Sequence, residues 1–145
     1  MQQMTYSADR DKADLVASIR RAYDRRAAGD AEGVLSHMAD NVHFWVSGSV
    51  GGQALVPPID GKEGVKAYYT GFLMRWDLSK MQIDKIIVDE NAAAIETQGT
   101  MKHLATGQSF ETRCCDILEF RDGLIVKVRY YSDTFSVIRV AGLYL

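Results

Sequence analysis

Apolar residues recur at helical spacing in the first part of the chain. Leu15, Ile19 and Tyr23 stand at i, i+4 and i+8 with Val16 beside them, while Arg20, Arg21, Arg25 and Arg26 fall mostly outside that stripe. The pattern predicts a helix from about Asp9 to Ala28, stopped by Gly29, with residues 1–8 as a flexible tail. Asp30 is placed to cap a short helix from Ala31 to Met38, whose stripe is Val34, Leu35 and Met38. Asn41 to Ser47 then alternates like a strand. The glycines and Pro57-Pro58 of "GSVGGQALVPPIDG" predict a loop without regular structure, long enough to serve as a lid or part of a site. A third helix, Lys62 to Trp76, carries Val65, Tyr68, Tyr69, Phe72, Leu73 and Trp76 as a core stripe.

From there the period changes to two. Strands are predicted over Met81 to Asp89, Ala92 to Leu104, Ser109 to Phe120 and Leu124 to Tyr131, with turns at Asp89-Glu90-Asn91, Thr106-Gly107 and Arg121-Asp122-Gly123. The chain continues as "SDTFSVIRVAG". Three helices interrupted by one strand, then a strand meander, predict an α+β fold with helices packed on one face of a curved mixed or antiparallel sheet. Such a sheet wrapped round helices leaves a cone with an apolar mouth, a usual place for a small molecule.

Composition narrows the function classes. At 145 residues the chain reads as one domain, 1–145. Its net charge of -2 gives no field for nucleic acid or an acidic membrane surface, and no apolar run approaches a membrane span. The polar N-terminus argues against a signal peptide. Cys114 and Cys115 are adjacent, so on a strand they face apart and stay reduced, which predicts a cytoplasmic protein. The three histidines form no metal-ligand spacing. His43 is expected on the outer sheet face, and His37 and His103 in solvent.

One residue breaks the apolar pattern. In "ETRCCDILEF", Thr112, Cys114, Asp116, Leu118 and Phe120 share a face, with a carboxylate in its middle. Burial raises a carboxyl pKa towards neutrality, where a proton can be exchanged usefully. Two readings stay open: Asp116 is an acid/base or oxyanion donor, or it is a structural aspartate bonded to a tyrosine or arginine. Tyr130, on the face of Val126 and Val128, and Tyr23 are placed to position a substrate oxygen. Phe44, Val46, Phe72, Met101, Cys114, Leu118 and Val128 are expected to line the pocket. The outer face, with Arg113, Cys115, Ile117, Glu119, Lys127, Arg129 and Tyr131, suits a homodimer contact.

"AAGDAEGVLSHMADNVHFWV", "GKEGVKAYY", "ATGQSFETR" and "CDILEFRDGLIVKVRYYSD" together resemble the nuclear transport factor 2, ketosteroid isomerase and SnoaL-like superfamily, over about residues 12 to 138. The resemblance implies a cystatin-like cone fold. Asp116 matches the late-strand acid of ketosteroid isomerases and the acid/base aspartate of SnoaL-like cyclases. The first-helix tyrosine of the isomerases matches Ala22, with Tyr23 one place along. Their first-strand base has no counterpart, because Phe44-Trp45-Val46 carries no carboxylate. The Arg, Asp and Asp of limonene epoxide hydrolases match Thr97, Gly99 and Tyr130, so that triad is absent. The implied activity is cofactor-free isomerisation, cyclisation or dehydration of a small hydrophobic carbonyl compound. The alternative is a non-catalytic ligand-binding or dimerising domain.

Overall fold

The computed structural model describes residues 2–142, with side chains from residue 11 onward. Helix α1 spans Gln2–Ala27, so residues 2–8 extend the helix expected from Asp9. Its inner face carries Ile19, Ala22 and, against the expectation, Arg26, all buried. Arg26 stands seven residues after Ile19, two helical turns along the same stripe. Gly29 turns the chain in the left-handed region (φ 74°), and Asp30 accepts from the Gly33 amide at 2.9 Å to cap α2, Ala31–Leu35. Strand β1 is Met38–Val46, so Met38 belongs to it and not to the helix.

The segment expected to be a loop forms small pieces of sheet. Ser49–Val50 (β2) and Gln53–Ala54 (β3) pair as a ribbon across Gly51 and Gly52, and Ile59–Asp60 (β4) pairs with β1. The Pro57-Pro58 pair is confined to the stretch between β3 and β4. Helix α3 is Lys62–Arg75; Trp76 opens strand β5, Trp76–Asp89, five residues earlier than predicted. Strands β6 (Ala92–His103), β7 (Ser109–Arg121) and β8 (Leu124–Tyr131) complete the meander. The tail folds as α4, Thr134–Ala141, capped by Asp133 and ended by a left-handed Gly142.

The main sheet runs β4-β1-β8-β7-β6-β5, antiparallel throughout except where β1 lies parallel to β8. Helices α1 to α3 cover its concave face. Alternation places Phe44, Val46, Cys114, Asp116, Leu118, Phe120, Val128 and Tyr130 inward, all buried. One detail departs from strict period two. The pairing slips between Glu119 and Phe120, which brings Ile125 rather than Val126 into the core beside Val128. Strand β5 slips twice, between Asp77 and Lys80 and between Ile83 and Lys85. Its inward positions accordingly step from Trp76 and Leu78 to Met81 and Ile83, then to Ile86 and Val88.

Gly99 is the tightest backbone approach in the sheet. It sits at φ 144°, and a Cβ there would lie 2.0 Å from the Lys80 carbonyl oxygen. Such a glycine marks a bend that no side chain permits. Gly99→Ala is therefore expected to lower stability by about 2–3 kcal/mol, read from urea unfolding; an unchanged midpoint would show that β5 moves aside freely.

Candidate functional site

Asp116 is 2% exposed. Two residues of α1 meet it. The Tyr23 hydroxyl donates to Oδ2, and the Arg26 guanidinium donates to the same oxygen at 3.3 Å. Arg26 also lies over the Tyr23 ring, 4.4 Å from its centre. The pairing follows from the two periodicities, which turn 23 and 26 of the helix and 116 of the strand to one interior point. It satisfies the expectation that a buried carboxylate needs a partner. Of the helix positions the resemblance offered, Tyr23 reaches Asp116, while Ala22 packs beside it. Hydrophobic periodicity alone puts Arg26 outside, because arginine counts as a surface residue; its place seven residues after Ile19, on the same stripe, is the signal that it turns inward.

The electrostatics are those of a desolvated cluster. Burial raises the Asp116 carboxyl above its ordinary value, while the Arg26 charge and the Tyr23 and Arg26 hydrogen bonds oppose that rise. Burial and the Asp116 charge push the Tyr23 hydroxyl well up. Arg26 ends raised: burial acts against its charge, and the surrounding acidic groups outweigh burial. The cluster borders a void of only about 20 Å³, lined in part by Tyr69, Leu118 and Val128. That is room for one water and for no substrate.

The larger apolar cavity lies elsewhere. It holds about 470 Å³ at the cone mouth, walled by Val46, Phe72, Met101 and Tyr130 from the sequence expectations, together with Leu55, Val56, Tyr68, Trp76 and residues of α4. Phe44, Cys114, Leu118 and Val128 are buried but do not line it. An aromatic row of Phe44, Tyr68, Phe72 and Tyr130, with ring centres 4.9 to 6.5 Å apart, packs between β1, α3 and β8. Tyr130 links the two regions. Its ring faces the mouth, and its hydroxyl donates to Cys114 Sγ at 3.4 Å, beside Asp116. Burial raises the Cys114 thiol, so it is a poor nucleophile.

The histidines divide. His43 lies on the outer face, as expected, and there it meets Asp60 at 2.6 Å. His37 is half-buried against Ser18 rather than exposed. His103 is a correction: it is buried against Trp76, ring centres 4.8 Å apart, and lines the mouth cavity. The Thr106 amide donates to its Nδ1 at 3.3 Å. A strand-end position suggested solvent, but the Trp76–His103 pairing of β5 with β6 closes over the ring. Among the described residues there is no cluster able to hold a metal ion, both cysteines are free, and no helix is long and apolar enough to cross a membrane.

Comparison with known proteins agrees with this architecture. A Bacillus subtilis protein provisionally assigned as an isomerase is 18% identical over 92% of this chain and 96% of its own, with a TM-score of 0.81. A provisional SnoaL-like polyketide cyclase from Jannaschia sp. CCS1 is 14% identical over 92% and 94%, with a TM-score of 0.74. TerC, co-crystallised with polyporic acid, is 18% identical over 89% and 98%, with a TM-score of 0.73. At these identities the likeness is one of fold. No curated protein matches the chain. The SnoaL-like domain family matches residues 19–128, which include Tyr23, Arg26 and Asp116. The chain belongs to the SnoaL-like family.

Proposed function

We propose that this SnoaL-like protein is a cofactor-free enzyme that performs acid/base chemistry on a small hydrophobic carbonyl compound: isomerisation, cyclisation or dehydration through an enol. The observation that carries the proposal is the buried Asp116–Tyr23–Arg26 cluster, set behind an apolar cavity whose wall includes Tyr130, the cross-strand neighbour of Asp116. A desolvated carboxyl exchanges a proton at a useful pH. Tyr23 and Arg26 both bond Oδ2, so Oδ1 is the oxygen through which Asp116 would take up and release a proton. Tyr23 and Tyr130 position the substrate, and apolar walls exclude water. The relatives provisionally assigned as an isomerase and a polyketide cyclase support this class of chemistry. Steroid isomerisation fits poorly, because Phe44 and Val46 occupy the inner face of β1 where a base would stand.

A second reading has its own observation. Asp116 does not line the 470 Å³ cavity, and the void beside it is water-sized. A non-catalytic ligand-binding domain would keep the ion pair for structure alone. Turnover separates the two. On a panel of small ketones, diketones and hydroxyquinones, Asp116→Asn with an unchanged circular dichroism spectrum is expected to lose at least about 100-fold in kcat. Equal rates in both proteins remove Asp116 from the chemistry. Melting-temperature shifts without any turnover favour the binding domain.

The raised Asp116 value has a consequence for stability. A group whose folded pKa exceeds its unfolded one stabilises the fold below its unfolded value, here 3.8, and loses that contribution as pH rises through the folded value. Asp116→Asn lacks it. The stability of wild type minus that of Asp116→Asn, from urea unfolding, is expected to fall as pH rises from about 3 to 7. A rise would mean that the Arg26 pair outweighs burial.

The outer sheet face is proposed as a homodimer contact. Trp45 packs edge-on against Tyr131 at 5.3 Å, Tyr131 is 41% exposed, and Arg129 Nε is buried without a partner. Trp45→Glu is expected to shift the sedimentation coefficient from dimer to monomer. A wild type that sediments as a monomer at every concentration removes this contact.

A further inference from the structure

A third cavity, of about 390 Å³, runs between α1 and β5. Arg20 and Asp24 of the helix and Gln82 of the strand line it with exposed side chains. Leu78, Met81 and Ile83 form its apolar side. Tyr23, Arg26 and Thr97 also line it, so it reaches the inner face of the sheet and the helix side of the Asp116 cluster. The two slips in β5 lie on either side of the Lys80–Ile83 stretch, where the strand forms this wall. Bulges of this kind re-aim side chains beside sites.

Two polar groups at its inner end are unusually placed. The Arg26 side chain is only 9% exposed, and among its five N–H donors one bond, to Asp116, is formed within the cluster. Thr97 is 1% exposed, and its Oγ1 has no hydrogen-bond partner. A buried hydroxyl without a partner is costly and rare. Neither the sheet nor the ion pair needs a hydroxyl at 97; a valine would fill the same volume. Donor-rich groups at the end of an apolar cleft suit an oxygen acceptor on an apolar body.

We propose that the α1–β5 crevice is a binding site for the carbonyl group of an apolar ligand, with Arg26 and Thr97 as its donors, and that it gives access to the Asp116 cluster from the side of the cone rather than through the mouth. The proposal rests on the reading of that cluster as ligand-facing, and it names the entrance and the groups that hold the oxygen. It also accounts for the absence of Asp116 from the mouth cavity: the helix partners of the carboxylate, not the carboxylate itself, meet the ligand first.

The probes are acetophenone, its hydrocarbon counterpart isopropylbenzene, and benzoate, titrated into the 15N-labelled protein. Acetophenone is expected to shift amides of Arg20, Asp24, Gln82 and Ile83. Thr97→Val, which keeps shape and is expected to fold with unchanged or higher stability, should weaken acetophenone about fivefold and leave isopropylbenzene unaffected. Thr97→Ser, which keeps the hydroxyl, should restore the preference. Benzoate binding more tightly than acetophenone would identify the oxygen as a carboxylate's; the reverse order would identify a neutral ketone's. Shifts confined to Val46, Leu55 and Val137 would place the ligand at the mouth, overturning this site while leaving the proposed enzyme standing. Equal acetophenone affinity in wild type and Thr97→Val would remove Thr97 and overturn the proposal. No shift with any probe would sink the crevice together with the ligand-binding reading of the cone.

Discussion

The charge pair between Arg26 and Asp116 is the constraint to which the interior answers. It joins α1 to β7 across 90 residues of sequence. Each ion alone would lose several kcal/mol of hydration inside the core. Together, with Tyr23 donating to the same carboxylate oxygen and its ring under the guanidinium, the loss is reduced, although burial still dominates at Asp116. The geometry is demanding. Arg26 reaches Asp116 only if the C-terminal turns of α1 lie flat on the sheet. The apolar stripe of Leu15, Ile19 and Ala22 makes that docking favourable, and the turn at Gly29 and Asp30 then carries the chain into α2.

The cavities follow from that docking. With α1 held at the sheet, the side chains of α3 close over β1 and β8, and the Phe44, Tyr68, Phe72 and Tyr130 rings form a wall in front of the cluster. The mouth cavity lies on the outer side of this wall and is capped by α4. Behind α1, the slips in β5 keep that strand from packing evenly on the helix. Gly99 allows β5 to pass close to β6 at the bend. The result is an interior with an apolar chamber on one side and a polar-ended cleft on the other.

Much of this was legible in the sequence wherever one physical rule governed a stretch. Strict alternation in β7 placed Asp116 among Cys114, Leu118 and Phe120, and the Gly29-Asp30 pair marked the stop and start of two helices. Where two rules competed, the reading failed. Arg26 obeys helical spacing but is a charged residue, and its inward turn depends on a carboxylate supplied by a distant strand. His103 ends a strand, which suggests solvent, yet the neighbouring strand begins with Trp76 and covers it. Val126 follows the alternation of β8 only until a bulge shifts the phase. The glycines around β2 and β3 argued against regular structure, but Gly51 and Gly52 supply the positive φ that a ribbon turn requires. In "SDTFS" the capping signal of α4 is Asp133, which accepts from the Ser136 amide, but the eight-residue helix behind it is too short for its periodicity to stand out.

The family resemblance matched Asp116 to an acid that, in ketosteroid isomerases, stays protonated in an apolar site and donates to an oxyanion. The partners found here change what that position can do. With Tyr23 and Arg26 both donating to Oδ2, that oxygen is an acceptor, and Oδ1 is the one left to carry a proton, in a carboxyl that borders a water-sized void. The same scaffold position thus has different local partners here, and its strong hydrogen-bond donors are the helix residues Tyr23 and Arg26. On the proposed acid/base reading, a developing oxyanion in this interior would be met by Arg26 or a tyrosine hydroxyl, while Asp116 exchanges its proton through Oδ1. Fold membership alone could not distinguish these cases; the guanidinium 3.3 Å from the carboxylate does.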